Sequence, residues 1–254
     1  MVLRIQDVSH EGILLAGGAC AILLQLADPV VAGGVAEHSD FASRPLDRLR
    51  GTLTYLYVIV YGTPDEARGI ARQVGDAHRS VPGADDVDRQ LWVAATIYDT
   101  AMRVRELVYG ELSAEDAESL LADYSVIATA LGVPPAAWPA NRTAFTQYWA
   151  QTPLDVGDAA RAVATELLYP RHAPWWVRLL MPSVRVITAG LLDAPLCEAY
   201  GLANDERRFR RLLRTARSVY PRLPAFVRHA PKRHYLRAFR RAQRRPPRAR
   251  HRWT

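Results

Sequence analysis

Lysine is nearly missing from this chain: Lys232 stands alone, and arginine supplies every other permanently cationic side chain. Cysteine is almost as scarce. Cys20 and Cys197 are the only two, too few for a disulfide framework or a zinc site. Each lies in an apolar helical pattern, which predicts buried, inert thiols and suits a reducing cytosol. Met1 to His10 mixes acidic and polar residues, so no signal peptide is expected there. The apolar run within Glu11 to Leu26 continues for about 13 residues before Asp28-Pro29, short of the roughly 20 that cross a bilayer. A buried core helix is expected instead, with Gly17 and Gly18 suited to close packing. HExxH, a cysteine zinc pair, a P-loop, G-x-S-x-G and the Rossmann glycine fingerprint are all absent. Asp85, Asp86 and Asp88 resemble an aspartate-rich metal motif, but Arg89 occupies the fifth position where a third carboxylate is needed. A solvated acidic loop fits them better.

What is present is charge of both signs, placed unevenly. The net charge is +7. From Asp205 onward there are 18 bases against two acids, a net of +16, which leaves the first 204 residues at −9. An acidic body thus carries a basic tail, and the arginine and alanine bias is that of GC-rich bacterial coding. Apolar residues make up 49% of the chain, enough for a substantial core in one large domain of this length.

Helical signals dominate. Pro45 suits a first helical turn, where its missing N–H costs nothing. The run from Thr52 to Tyr61 (TLTYLYVIVY) would pass as a strand by composition. With no second strand to pair with, its backbone groups can be satisfied only in a helix. Thr63-Pro64-Asp65-Glu66 is a helix start, and that helix runs to about His78. Further helices are expected over about 91–108, 117–131, 143–152, 156–168, 175–192 (one helix or two), 195–200, 207–219 and 226–242, with Gly110 and Ser113 as a stop and a restart. Nine or ten helices and no convincing strand predict an all-α single domain over 1–220, followed by an arginine-rich segment over 221–254.

The chemistry concentrates between Arg44 and Gly83. Arg48, Thr52 and Tyr55 fall at i, i+4 and i+7, on one face of a helix. An arginine turned toward such an apolar helix needs an anionic partner. Asp40, Asp47 and Asp99 qualify, as does an anionic group on a bound cofactor. His78, at the end of the next helix, can return to the same place.

Ordered blocks along the chain add to this. LLQLADPVVAGGVAEHSDF, RPLDRLRGTLTYLYVIVYGTPDEA, VGDAHRSVPG, LWVAATIYDTAMRVREL, ALGVPPAAWP and YWAQTPLDVGDAARAVATELLYP together resemble the bacterial branch of the oxygenase family that includes the fungal mycophenolic-acid oxygenase (MpaB) and the rubber-cleaving latex-clearing protein. The resemblance covers about residues 10 to 220. It implies an all-α fold around haem b, with His78 as proximal iron ligand and Arg48 and Thr52 lining the pocket; Arg50 would be a further partner of the propionates and Tyr55 part of the wall. The implied activity is an oxygenase or oxidase acting on an apolar small molecule, isoprenoid-like or a secondary metabolite, with O2 activated at histidine-ligated iron. No motif tells whether a redox partner supplies electrons.

Three positions depart from the family pattern. Ala94 stands where members carry histidine in a Trp-Val-His-Ala-Thr block, Asp28 where a histidine precedes the proline, and Gly51 where rubber-cleaving members have lysine. Ala94 and Asp28 define the alternative expectation, a haem-free, non-catalytic helical protein that binds a ligand or a membrane, and Gly51 means no lysine stands on the distal side. The basic tail has three readings of its own: a solvated segment partly docked on the acidic body, an arginine helix on an anionic membrane with Phe226, Tyr235, Leu236 and Phe239 as its apolar strip, or a non-specific nucleic-acid contact. The expected location is the cytoplasm, with peripheral membrane contact through that tail.

Overall fold

Polar punctuation in the sequence becomes the ends of helices. In the computed structural model, which describes residues 2–38, 45–79, 81 and 83–244 (the side chains of 37–38 and 45–48 excepted), fourteen α-helices and no strand occur among the described residues. They are α1 (Ile5–Val8), α2 (Gly18–Leu26), α3 (Pro29–His38), α4 (Pro45–Tyr61), α5 (Pro64–His78), α6 (Val87–Tyr109) and α7 (Ala114–Thr129). Then follow α8 (Arg142–Gln151), α9 (Asp158–Leu168), α10 (Trp175–Leu191), α11 (Ala194–Ala199), α12 (Glu206–Val219), α13 (Ala225–Arg228) and α14 (Ala230–Gln243). The expected all-α fold is therefore present. The count exceeds nine or ten partly because a helix as short as α1 leaves almost no apolar period to read, whereas the short α11 stands where 195–200 was expected. The expected single helix over 226–242 is two, with His229 at the break.

Two of the caps, at α5 and α7, are those the sequence names. Thr63 and Glu66 form a reciprocal capping box at α5, Ser113 accepts from the Asp116 N–H at α7, and Asp86 accepts from the Arg89 N–H at α6. Asp86, one of the three loop aspartates, thus has a structural task. Gly110 ends α6 at φ 94°, a backbone conformation that only glycine adopts without strain.

Two apolar clusters lie on either side of α6. One gathers α1, α4, α5, α7, α8 and α14 around Tyr55, Val58, Ile59, Ala94, Tyr98, Leu121 and Tyr124. The other gathers α2, α3, α9, α10 and α11 around Cys20, Leu23, Leu26, Trp92, Val163 and Leu168. The indole N–H of Trp92 donates to the Leu24 carbonyl at 3.0 Å, joining α6 to α2 in the second cluster. Both cysteines are buried free thiols, and burial pushes the Cys20 thiol up to about 12. The Gly12–Leu26 segment is core, with Cys20 and Leu23 at 0% exposure. Among the described residues no single helix is long and apolar enough to cross a membrane, and Gly12–Leu26 is bent by 106° from Pro29–Ala36.

The C-terminal helices belong to this packing. Tyr235 stacks on Tyr57 with ring centres 5.8 Å apart, Leu236 packs on the first cluster, and Phe239 is buried within it. Arg240 closes a two-pronged ion pair with Glu66 at 2.8 and 3.0 Å, so one carboxylate serves both the α5 cap and the α14 dock. Most of the strip expected to face a membrane is therefore turned toward α4; Phe226 alone among its four residues is strongly exposed. Residues 245–254, the end of the arginine-rich segment, lie outside the described residues.

Phe239→Ala should cost about 3 kcal/mol of stability, the usual penalty for emptying a buried phenylalanine site, read as a lowered urea midpoint at unchanged m-value. An unaltered midpoint would mean that α14 contributes nothing to the core.

Candidate functional site

The α4–α5 hairpin positions most of the candidate residues. Gly62 makes the reversal: a Cβ there would lie 2.5 Å from the Val58 carbonyl oxygen, so no other residue fits without a shift. Thr63 and Pro64 restart the chain at once, and α5 runs back along α4. The start of α4 and the end of α5 therefore share one end of the hairpin. On α5, Ala67, Ile70, Ala71, Val74 and His78 follow the helical period. The first four pack into the α4 cluster; His78, on the same stripe, is half-buried with its Nδ1 shielded from solvent. It has a partner in its surroundings, and its carbonyl accepts from the Val81 N–H at 2.9 Å.

The α4 candidates divide. Tyr55 is buried and donates its hydroxyl to the Ile127 carbonyl on α7 at 2.7 Å; burial alone drives its phenol well above the ordinary range. Arg50 and Thr52 are exposed near the start of the helix. The positive charge of Arg50 reaches Tyr235 on α14 and works against the rise that burial imposes on that phenol. The side chain of Arg48 lies outside the described residues. Of the carboxylates considered for it, Asp40 and the side chain of Asp47 also lie outside them, whereas Asp99 pairs with Arg103 on its own helix at 2.7 Å. Burial, only partly offset by Arg103, raises the Asp99 carboxyl to about 6.

The three departures each have a structural setting. Ala94 is 1% exposed, packed with Tyr55, Ile59 and Tyr98. Asp28 caps α3, accepting from the Val30 and Val31 N–H groups at 2.8 and 3.1 Å, with Arg89 at 3.8 Å. Among the described residues, a Cβ on Gly51, or on Gly75 one turn before His78, would meet nothing within 4 Å. His78 thus lies on the inward stripe of α5, at the hairpin end where Arg50 stands exposed on α4.

A second polar centre escaped the sequence. Glu11, only 7% exposed, lies against His10 and His229, and one oxygen or nitrogen from each of the three comes within 4.8 Å of the others. His10 and His229 place Nε2 at 3.3 and 3.4 Å from Glu11 Oε1, and the two rings are 3.9 Å apart. Such a set can hold a metal ion. Its carboxylate is already engaged, however: Arg228 donates to Oε1 at 2.5 Å and the Tyr220 hydroxyl to Oε2 at 2.9 Å. Arg228 also donates to the Tyr109 hydroxyl at 3.0 Å. The arrangement acts as a clasp joining the N-terminal segment, α6, the turn at Tyr220 and α13. The only trace of it in the sequence is an acid, Glu11, placed directly before an apolar run.

Burial alone would raise the Glu11 carboxyl, but the hydroxyls of Tyr220 and Tyr109 and the Arg228 guanidinium together hold it below its ordinary 4.5. Burial, with His10 beside it, lowers His229 below 6.5. Both groups bind protons more readily in the unfolded chain, so each contributes stability that is lost as pH falls: His229 from 6.5 downward, Glu11 from 4.5 downward. Asp99, raised from 3.8, opposes them by gaining its proton first in the folded state. Glu11→Gln isolates one contribution. At neutral pH it should cost about 2 kcal/mol, because it removes one side of a buried ion pair. The gap from wild type in urea midpoint should close as pH drops past 4.5. Equal midpoints at neutral pH would rule the clasp out.

Comparison with known proteins covers most of this architecture. The family model described as ER-bound oxygenase mpaB/B'/rubber oxygenase, catalytic domain, matches residues 5–218. Uncharacterized proteins of Mycobacterium bovis and Mycobacterium tuberculosis are each 35% identical to it over 144 residues, 52% of this chain and 56% of theirs. The chain thus spans about half the length of the curated relatives it matches. No solved structure matches it. The family match takes in α1 through α12 almost to its end, including the α4–α5 hairpin and His78, and on that extent the chain belongs to the MpaB/rubber oxygenase catalytic-domain family.

Proposed function

We propose that this protein is a haem b-dependent oxygenase or oxidase for an apolar small molecule, isoprenoid-like or a secondary metabolite, with His78 as the iron ligand. The observation that carries the reading is the placement of His78: it extends the inward stripe of α5, at the hairpin end where α4 begins with its arginines. Membership of an oxygenase family supports the reaction class.

When bound, haem supplies an iron centre at which O2 is activated. The chain's own residues have narrower tasks. His78 would present a neutral ring nitrogen, with the other ring nitrogen oriented by a neighbour. Arg48 and Arg50 would neutralise the propionates, since a guanidinium matches a carboxylate in two-pronged geometry. Thr52 would set polarity at the same end. Tyr55 would serve from behind: its hydroxyl is committed to Ile127, so it stiffens the wall and excludes water. The apolar faces of α4 and α5 favour an apolar substrate. Two buried free thiols are compatible with the reducing cytoplasm proposed as its location.

A haem-free, non-catalytic role as a ligand-binding helical protein is the second reading, favoured by Ala94. That side chain is sealed in the core, so the position offers neither a ligand nor an orienting group.

An absorption spectrum of the purified protein tests both. A Soret band, as isolated or after haem reconstitution, is the expected result, and His78→Ala should abolish it or shift it grossly. Colourless protein after reconstitution selects the second reading. A Soret band unchanged in His78→Ala moves the ligand elsewhere.

A further inference from the structure

We infer that the projecting start of α10 and the arginine face of α12 form one docking surface for an anionic lipid bilayer. Trp175, Trp176, Leu179 and Leu180 are 76, 52, 72 and 56% exposed, and together they give the first turns of α10 an apolar surface. Tyr169, just before the helix, is 53% exposed. Scattered apolar residues on a surface are ordinary; two tryptophans, two leucines and a tyrosine on one projection form a patch of the kind that marks an interaction site.

The projection is held firmly. Beyond it, Met181, Val186 and Ala189 bury the same helix in the core. Arg185 donates to the Leu168 carbonyl at 3.0 Å and stacks over the Tyr169 ring at 4.4 Å, which fixes the tyrosine beside the helix start. α12 crosses close behind: a Cβ on Gly190 would lie 2.4 Å from the Phe209 ring. Ser183, one turn beyond Leu179, shares a groove of about 380 Å³ with Asp205, Arg207, Arg208, Arg211 and Leu212, in which three guanidinium groups outnumber the one carboxylate. On α12 itself, Phe209, Leu212, Leu213 and Ala216 turn toward the body, while Arg207, Arg208, Arg210, Arg211, Arg214 and Arg217 are exposed. The apolar wedge and the cationic face are therefore neighbours.

Charge and chemistry together select the partner. Tryptophan and tyrosine settle at the headgroup level, leucines enter the acyl boundary, and arginines meet anionic headgroups while their stems stay in the interface. Nucleic acid would use the arginines but has no use for exposed Leu179 and Leu180. A second copy of this chain could cover the leucines, but on a two-fold axis it would set one arginine face against another. This surface differs from the C-terminal segment, whose Arg228 and Arg240 are engaged by Glu11 and Glu66. It does not depend on whether haem is bound.

Co-sedimentation of the full-length protein with phosphatidylcholine vesicles, with and without phosphatidylglycerol, tests the inference. Binding should require the anionic lipid, weaken with salt, and shift tryptophan emission to the blue. The double variant Trp175→Ser with Leu179→Ser should bind roughly tenfold more weakly or worse, with helix content kept because both side chains are exposed. Arg207→Glu with Arg211→Glu should remove the dependence on phosphatidylglycerol. Full-length protein carrying Arg248→Ser, Arg250→Ser and Arg252→Ser should still bind. Wild-type binding by the Trp/Leu variant, or loss of binding in the tail variant, overturns the inference. So does duplex DNA retained as tightly as vesicles and unaffected by the Trp/Leu change. A dimer abolished by that change, in protein that ignores vesicles, overturns it too.

Discussion

Covering α4 on all sides is the constraint on which the rest of the structure depends. Its run of tyrosines, valines and isoleucine has the composition of a strand, and as a helix it shows apolar residues around most of its circumference. Tyr55, Tyr57, Val58 and Ile59 are all buried, which a single neighbouring helix cannot achieve. α5 folds back over one side, α7 receives the Tyr55 hydroxyl, and α14 closes another with Tyr235 and Phe239. The basic C-terminal helix is thus a wall of the first cluster even though the family match stops at residue 218.

That closure brings unlike charges together. Two carboxylates of the acidic body, Glu11 and Glu66, each receive an arginine from the C-terminal helices. Glu66 is exposed enough for solvent to weaken its pair, and its value lies in also capping α5. Glu11 is buried, so its pair matters more through the cost of breaking it than through the gain of making it. Tyr109, Tyr220 and the two histidines then saturate the remaining geometry around one carboxylate.

Much of the fold was legible because helix ends are local. Thr63 with Glu66, Ser113, Gly110 and Pro45 announce starts and stops through side chains a few residues away, and all of them stand where the sequence places them. The helical state of TLTYLYVIVY was also legible, though by elimination: no second strand existed to pair with it. The clasp was not legible, because His229 lies 218 residues from Glu11 and no periodicity links them. Nor was the break of the last helix at His229, where the chain turns to deliver Arg228 to Glu11. Of the candidate residues, the position of His78 at the end of α5 could be read from the helix start at Thr63, and the burial of Tyr55 from its apolar setting. That the Tyr55 hydroxyl turns to Ile127 could not, since hydrogen-bond direction follows from which helix packs behind.

Apolar periodicity has the same limit in the opposite sense. It identifies Trp175 to Leu192 as an apolar helix, but it cannot say which turns will be covered. In the structure α10 divides at Met181: the later turns are packed between α9, α12 and the second cluster, and the earlier turns pack on that cluster through Val177 while Trp175, Trp176, Leu179 and Leu180 stand exposed. Arginine counts mislead in a similar way. A net of +16 over the last 50 residues reads as one basic tail, yet Arg228 and Arg240 neutralise buried or capping acids, while the arginines of α12 stay at the surface, Arg210 in an exposed pair with Glu206. Free positive charge is therefore concentrated beside the uncovered turns of α10, and both properties follow from the way α12 crosses over Gly190, with its apolar side against the body.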